Sequence, residues 1–213
     1  MAMRLVFLPI LLLSLQAYSQ VAERPEYRVG DRWLVERFDL MKGEVSGARE
    51  WRITEISAAS MTQESKDRAS GEVTKSIRDL DGNPLEISGR KFDPKYVRYA
   101  FPLSVGKKWN AKASYPSLDG NGTVTEERTC EVLAFEDVVT KAGTFKAYKI
   151  KCDGAFRIGH IFARRPLVGT SSSTNWFSPE ARHSVKLEYW RTQPRGGWGE
   201  RYVDEVVSFE LQK

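Results

Sequence analysis

Short alternating segments separated by turn residues are the feature that most limits the folds open to this 213-residue chain. In DRWLVERFDL (31–40) and SVKLEYWR (184–191), apolar and polar residues alternate as they do in half-buried strands. The segments DGNP (81–84), DGNG (119–122) and TQPRGGWGE (192–200) are typical of chain reversals. The pattern predicts an all-β protein with little helix: a single curved antiparallel sheet, a partly open barrel or a sandwich, built as a meander. We expect RPLVGTSSSTN (165–175) to be a loop.

The N-terminus has the three parts of a secretory signal peptide. Residues 1–4 carry a positive charge at Arg4, LVFLPILLLSL (5–15) is apolar, and Ala17 and Ser19 place small residues before the expected cleavage site. The apolar run is shorter than the roughly 20 residues that span a bilayer. We therefore predict a signal peptide over 1–19, and a single exported β domain over 20–213 that is periplasmic or secreted and soluble, without a membrane span.

The two cysteines, Cys130 and Cys152, flank a segment that predicts a hairpin around KAG (141–143). With that turn, a regular register places the two cysteines opposite each other, and opposed residues of neighbouring strands are close enough for a disulfide. An oxidising compartment also favours a disulfide over two free thiols, which a one-residue slip would produce. The register opposes Glu131 with Lys151, Val132 with Ile150, Ala134 with Tyr148, Phe135 with Ala147 and Glu136 with Lys146.

The segment VGDRW (29–33) returns as VGKKW (105–109). In each copy a glycine can adopt backbone angles that other residues avoid, and a tryptophan then begins an alternating run. Neither copy contains a nucleophile, a paired acid or a metal ligand. We interpret the repeat as a way of starting a strand, with Trp33 and Trp109 covering the end of the core.

Five aromatic residues are candidates either for core packing or for stacking against a ligand. Trp33 and Trp109 begin the two repeated segments, Phe145 follows the turn of the cysteine hairpin, and Trp176 and Phe177 are adjacent in a later segment. In a strand, adjacent residues point to opposite faces, so Trp176 and Phe177 cannot both face one cavity.

Signals for catalysis and for cofactors are weak. The two histidines, His160 and His183, belong to no zinc-binding pattern, and GTSSST (169–174) lacks the spacing of a nucleophile elbow. The 33 basic and 28 acidic residues are interspersed, which favours a solvated surface over a nucleic-acid groove. We predict no enzyme activity, no catalytic residue, no metal or other cofactor, and no nucleic-acid partner.

The segments KAGTFKAYKIKC (141–152) and NWFSPEARHSVKLEY (175–189) resemble a family of Gram-negative exported β-rich proteins of unknown function. The VGKKW segment is also similar to this family. Some of its members are similar in outline to the half-open barrels of lipoprotein-carrier proteins. The resemblance implies an extracytoplasmic β domain, and it assigns no catalytic residue to this chain.

Three functions remain as hypotheses. The first is a non-catalytic periplasmic domain that binds a lipid or another apolar or amphipathic ligand in a concave sheet. The second is a structural or protein-interaction module of the cell envelope, which would dock an envelope protein on exposed strand edges. The third is a hydrolase of an envelope polymer, for which His183, Glu180 and serines would have to meet in a cleft.

Overall fold

The structure, a computed structural model, describes residues 21–192 and 199–213. The predicted signal peptide and most of the predicted reversal at 192–200 lie outside these residues. The described residues contain fourteen β-strands and no helix, which confirms the predicted all-β class. The strands are β1 (Val21–Ala22), β2 (Arg32–Asp39), β3 (Glu44–Ile56), β4 (Ser60–Asp67), β5 (Val73–Asp79), β6 (Pro84–Ile87), β7 (Arg90–Lys91), β8 (Leu103–Ser104), β9 (Lys108–Pro116), β10 (Gly122–Thr140), β11 (Gly143–His160), β12 (Leu167–Ser178), β13 (His183–Thr192) and β14 (Gly199–Glu210).

Twelve of these strands form one antiparallel sheet in the order β7-β6-β5-β4-β3-β2-β14-β13-β12-β11-β10-β9. The sheet consists of two six-stranded meanders, β2 to β7 and β9 to β14, which are joined where β2 pairs with β14. Strands β1 and β8 form a separate two-stranded sheet. Register shifts in several ladders help the large sheet to curve.

The two ends of the large sheet come together, so the sheet is nearly closed into a barrel. Just after β7, the Asp93 amide donates to the Ser114 carbonyl of β9 at 2.8 Å, and the Ser114 amide donates to the Pro94 carbonyl at 3.3 Å. These bonds lie between the two edge strands of the sheet. Of the three predicted architectures, the partly open barrel is the one observed.

The β10–β11 hairpin confirms the predicted disulfide. Cys130 and Cys152 are directly opposed, their Cα atoms are 4.1 Å apart, and their sulfur atoms are bonded. The predicted register holds from the cysteines to Val132 opposite Ile150 and is wrong nearer the turn. Leu133 is an extra, unpaired residue, and this β-bulge shifts the pairing by one. The observed pairs after the bulge are Ala134 with Lys149, Phe135 with Tyr148, Glu136 with Ala147 and Asp137 with Lys146.

The prediction of a loop at 165–175 is wrong, because most of that segment belongs to β12. Strand β12 lies between β11 and β13. Its serines and threonines gave no hydrophobic alternation, yet Ser171, Ser173 and Asn175 are all buried. The face of the sheet that they help to form also carries the buried Glu126 and Arg128, so burial there does not require apolar side chains.

The repeated VGxxW segment has the same backbone geometry in both copies. Gly30 and Gly106 have φ of 98° and 88°, values that favour glycine. Each glycine amide donates at 2.8 Å to a neighbouring strand, Gly30 to the Ile53 carbonyl and Gly106 to the Val132 carbonyl. In each copy the next residue then accepts a bond from that same strand residue. The repeat therefore starts β2 and β9 in the same way, as predicted.

The connection between β7 and β8, residues 92–102, packs against the inward face of β9 to β12, and we call it the inner segment. Tyr96 and Tyr99 of this segment belong to a buried cluster that also contains the disulfide and Phe177. Trp109 is half-buried beside it, and its indole Nε1 donates to the Val97 carbonyl at 2.9 Å. The inner segment therefore forms part of the barrel interior.

Candidate functional site

A cavity of about 210 Å³ lies inside the barrel, between the inner segment and both meanders. Strand residues reach it because alternate side chains of a curved sheet point to its concave side. Most of its wall comes from β9 to β14, and β6 closes one side. Its lining residues are Pro84, Ile87, Phe92, Tyr96, Arg98, Tyr115, Glu126, Arg128, Ile150, Cys152, Ser173, Asn175, Leu187, Tyr189 and Tyr202.

A buried network of charged and hydroxyl groups occupies the β9–β10 wall. The Arg128 guanidinium donates to Glu126 Oε2 at 2.7 Å, and the Tyr115 hydroxyl donates to Glu126 Oε1 at 2.7 Å. The Arg128 guanidinium also lies over the rings of Tyr96 and Tyr189, at 5.3 Å and 5.6 Å from their centroids. Both oxygens of the only carboxylate among the residues that line this cavity are thus hydrogen-bonded.

Arg98, from the inner segment, lines the same cavity and also a second one of about 50 Å³. Arg78 of β5 lines the second cavity, where its Nη1 donates to the Gly82 carbonyl at 2.9 Å. None of the ion pairs between described residues involves Arg78 or Arg98. Burial, together with the positive charge of Arg98, lowers the pKa of Arg78 to about 10. Arg78 is therefore still a cation at neutral pH.

Three tyrosines and one histidine around the cavities are neutral at pH 7. Burial raises the pKa of Tyr115, Tyr189 and Tyr202, so their hydroxyls stay protonated. His183 lines the second cavity, and burial lowers its pKa to about 4. The residues that line the two cavities therefore carry three guanidiniums, those of Arg78, Arg98 and Arg128, against the one carboxylate of Glu126.

Apolar surface completes the larger cavity. The rings of Phe92 and Tyr115 are in contact, with centroids 4.6 Å apart. Ile87, Ile150 and Leu187 line the same cavity. A molecule inside would therefore meet aromatic and aliphatic surface as well as cationic and hydroxyl groups.

A larger depression of about 490 Å³ lies on the outer face of β11 to β14. Lys151, Asp153, Ser172 and Trp190 are among its lining residues. Two of its charged groups are paired with each other: Lys151 donates to the Ser172 hydroxyl at 2.6 Å and is 3.4 Å from an Asp153 oxygen. We regard the inner cavity as the better candidate site, because its guanidiniums outnumber its carboxylate and its walls enclose it from several sides.

None of the five predicted aromatic residues lines the inner cavity. Trp33 is fully buried, and its Nε1 donates to the Ala181 carbonyl at 2.7 Å. Phe145 and Trp176 belong to a buried cluster near the β10–β11 turn, and Phe177 packs beneath the inner segment. Trp109 holds Val97 of the inner segment. The structure places all five in the packing of the protein.

The residues of the cavity were missed in the sequence analysis, although a signal for some of them exists. Glu126 and Arg128 precede Cys130 by four and two residues on one strand, so they share its face. Cys152 was predicted to lie opposite Cys130, on the same face of the hairpin. Arg98 has no comparable signal, because it belongs to an irregular connection.

The described residues contain no group of three or more His, Cys, Asp or Glu side chains that could hold a metal ion. They also contain no helix long and apolar enough to cross a membrane.

The fold and the cavity define the chain as a nearly closed antiparallel β-barrel whose inner cavity has both apolar and cationic walls. Two solved structures are similar to it. One, from Parabacteroides distasonis and described as a "putative lipoprotein", has a TM-score of 0.52 at 12% identity, over 90% of this chain and 100% of that chain. The other, from Bacteroides fragilis and described as a "putative exported protein with YmcC-like fold", has a TM-score of 0.42 at 12% identity, over 89% and 99%.

The first of these similarities supports the fold, and at this identity it supports nothing further. No protein-family model and no curated protein matches the chain.

Proposed function

We propose that this protein is a non-catalytic binding protein of the cell envelope that holds an amphipathic small molecule inside its barrel. The observation that carries the proposal is the inner cavity, which is lined by Arg98 and several tyrosines as well as by Phe92, Ile87 and Leu187. Binding sites for small molecules combine apolar walls with a few polar groups that fix orientation, as this cavity does.

Three observations support a location in the envelope. The N-terminal sequence has the pattern of a signal peptide. The Cys130–Cys152 disulfide is typical of an oxidising compartment. The similar structure from Parabacteroides distasonis is described as a "putative lipoprotein", which agrees with such a location.

The arrangement of the acidic and basic groups supports binding over catalysis. Glu126, the carboxylate of the cavity, has both oxygens engaged by Arg128 and Tyr115. The hydrolase hypothesis required His183 and Glu180 to meet, but His183 lines the second cavity while Glu180 is exposed on the turn before β13. A general acid or base needs a group that is both accessible and correctly placed.

The alternative of a protein-interaction module that docks on strand edges has less support. The edge strands β7 and β9 lie side by side, and the bonds between Asp93 and Ser114 occupy part of that edge. A paired edge offers few free backbone groups to a partner strand.

Native mass spectrometry of the mature chain from its own envelope, followed by solvent extraction, tests the proposal. We expect a stoichiometric small molecule that is released on unfolding and identified in the extract. The mass of the released chain should be two hydrogens short because of the disulfide. A chain of that mass without a bound small molecule would contradict ligand binding and favour the protein-interaction module.

A further inference from the structure

The residues that line the two cavities carry more positive than negative charge. Arg128 is balanced by Glu126 at 2.7 Å, and the side chains of this pair are only 6% and 9% exposed. Arg98 and Arg78 have no such balance: neither forms an ion pair within the described chain, although Arg78 is buried and Arg98 is partly buried. The Nε atoms of Arg78 and Arg128 are buried without a hydrogen-bond partner.

Unbalanced guanidinium groups in a protein interior are unfavourable unless something compensates for the water they lose. Arginine does not escape the cost by losing its proton, because its pKa is too high. The planar guanidinium offers paired N–H donors that match the two oxygens of a carboxylate or phosphate. The hydroxyls of Tyr189 and Tyr202, which line the same cavity, add further donors.

We propose that the inner cavity binds an oxyanion, a carboxylate or a phosphate, beside Arg98, with the apolar part of the same ligand against Phe92, Ile87 and Leu187. This inference rests on the proposed function and names the chemical class of its ligand. Arg98 lies between the two cavities, so an anion beside it also reduces the repulsion between Arg98 and Arg78. Arg98 is therefore the group on which binding of the anion depends most.

The size of the cavity limits the ligand. About 210 Å³ is below the range of about 300 to 1,000 Å³ that is usual for drug-sized ligands. It is suited to a molecule of one ring with an acidic group, or to the anionic end of a longer amphiphile. The same oxyanion chemistry could therefore come from a soluble organic acid or phosphate ester, or from a phospholipid headgroup.

Isothermal titration calorimetry at fixed ionic strength tests the inference with two matched probes, phenyl phosphate and phenol. The titrated proteins are the wild-type chain, Arg98→Gln and Arg157→Gln. The control Arg157 is exposed on the outer face of β11. Replacing Arg98 leaves no carboxylate of the described chain without its ion-pair partner, so we expect Arg98→Gln to fold. If Arg98→Gln does not fold, Arg98→Lys is the second variant, because lysine keeps the positive charge but lacks the paired N–H donors of the planar guanidinium.

We expect the wild-type chain to bind phenyl phosphate about tenfold or more tightly than phenol, because charge-assisted bonds are the strong ones. Arg98→Gln should weaken phenyl phosphate binding by about tenfold or more and leave phenol binding nearly unchanged. Arg157→Gln should match the wild type. Equal binding of phenyl phosphate by wild type and Arg98→Gln, or equal losses in both variants, would overturn the oxyanion site.

The outcomes separate this inference from the proposed function. If the chain binds phenol as well as phenyl phosphate, or carries a neutral molecule from the envelope, the barrel binds ligands and the oxyanion site is wrong. If it binds neither probe and is purified without a ligand, both proposals fail. If binding follows the expected pattern, solvent extraction of the purified chain identifies the source of the oxyanion. An acidic molecule in the organic phase indicates a lipid headgroup, and an acidic molecule in the aqueous phase indicates a soluble anion.

Discussion

At the scale of single residues, the direction of a side chain decides whether its charge reaches the barrel interior. Glu126, Arg128 and Cys130 alternate with Glu127 and Thr129 along β10. The first three are buried, while Glu127 and Thr129 are exposed. Because strand neighbours point to opposite faces, one fixed inward residue determines its neighbours at every second position. The disulfide at Cys130 thus identifies the inward face of β10 and the charges on it.

His183 gives a residue-scale prediction about pH. Its ring stacks on Trp33 with centroids 4.8 Å apart, and its Nδ1 donates to the Ser184 carbonyl at 2.8 Å. Burial lowers the pKa of His183 from 6.5 to about 4, against the opposing effect of the Ser184 bond. Between these values the unfolded chain binds the proton and the folded chain does not. This contribution to the free energy of unfolding is complete above about pH 6.5 and is lost as the pH falls to about 4.

The variant His183→Phe keeps the aromatic contact with Trp33 and removes the titration. We expect the difference in unfolding free energy between wild type and His183→Phe to change by about 2 kcal/mol from pH 7 to pH 4.5, in favour of the variant at low pH. Urea unfolding of both proteins at several pH values measures this difference in unfolding free energy. His160→Gln, at the exposed pair with Asp119, is the control. Parallel pH profiles for wild type and His183→Phe would show that His183 protonates normally in the folded protein.

At the scale of elements, the two VGxxW turns have the same backbone and different surroundings. A Cβ added at Gly106 would meet no atom within 4 Å, whereas a Cβ at Gly30 would lie 3.1 Å from the Gln212 Cγ. The residues after the glycines also differ. Asp31 is fully buried and accepts hydrogen bonds from Arg182 and from the Gln212 amide, while Lys107 is partly exposed.

A matched pair of alanine substitutions tests this comparison. We expect Gly106→Ala to lower the free energy of unfolding by about 1 to 2 kcal/mol, the usual cost of a left-handed conformation for an L-residue. Gly30→Ala should cost more, because the Gln212 side chain must also move. Gly47→Ala, in open space and without a positive φ, is the control and should be nearly neutral or slightly stabilising. Equal effects at all three positions in urea unfolding would refute the interpretation of the repeat as a strand-starting turn.

The elements also show where sequence reasoning reached its limit. The strands with apolar alternation, both VGxxW turns and the pairing of Cys130 with Cys152 were predictable from local patterns. The bulge at Leu133 was not, because a single extra residue leaves composition unchanged while it moves Phe135 opposite Tyr148. Strand β12 was missed for a related reason. Its inward residues Ser171, Ser173 and Asn175 are polar, and the usual signal of buried strands is hydrophobic.

At the scale of the whole molecule, the inner segment connects the two meanders and supplies Arg98 to the cavity. Two contacts hold it, one from each meander. Asn83, from the turn before β6, donates to the Tyr99 carbonyl at 2.9 Å and accepts from the Tyr99 amide at 2.8 Å. Trp109 of β9 donates to the Val97 carbonyl. Long-range contacts of this kind leave no local pattern, so the position of Arg98 could not be predicted from the sequence.

Asn83 is only 1% exposed, and its removal should loosen the inner segment before the sheet. We expect Asn83→Ala to lower the free energy of unfolding by about 2 to 4 kcal/mol, because two buried backbone groups of Tyr99 lose their partner. Hydrogen exchange followed by mass spectrometry should show faster exchange in residues 92–102 while β9 to β12 remain protected. Asn110→Ala, on the exposed side of β9, is the control. If exchange instead rises equally throughout the sheet, the inner segment and the barrel unfold as one unit. The inner segment could then not move away from the cavity without unfolding the protein.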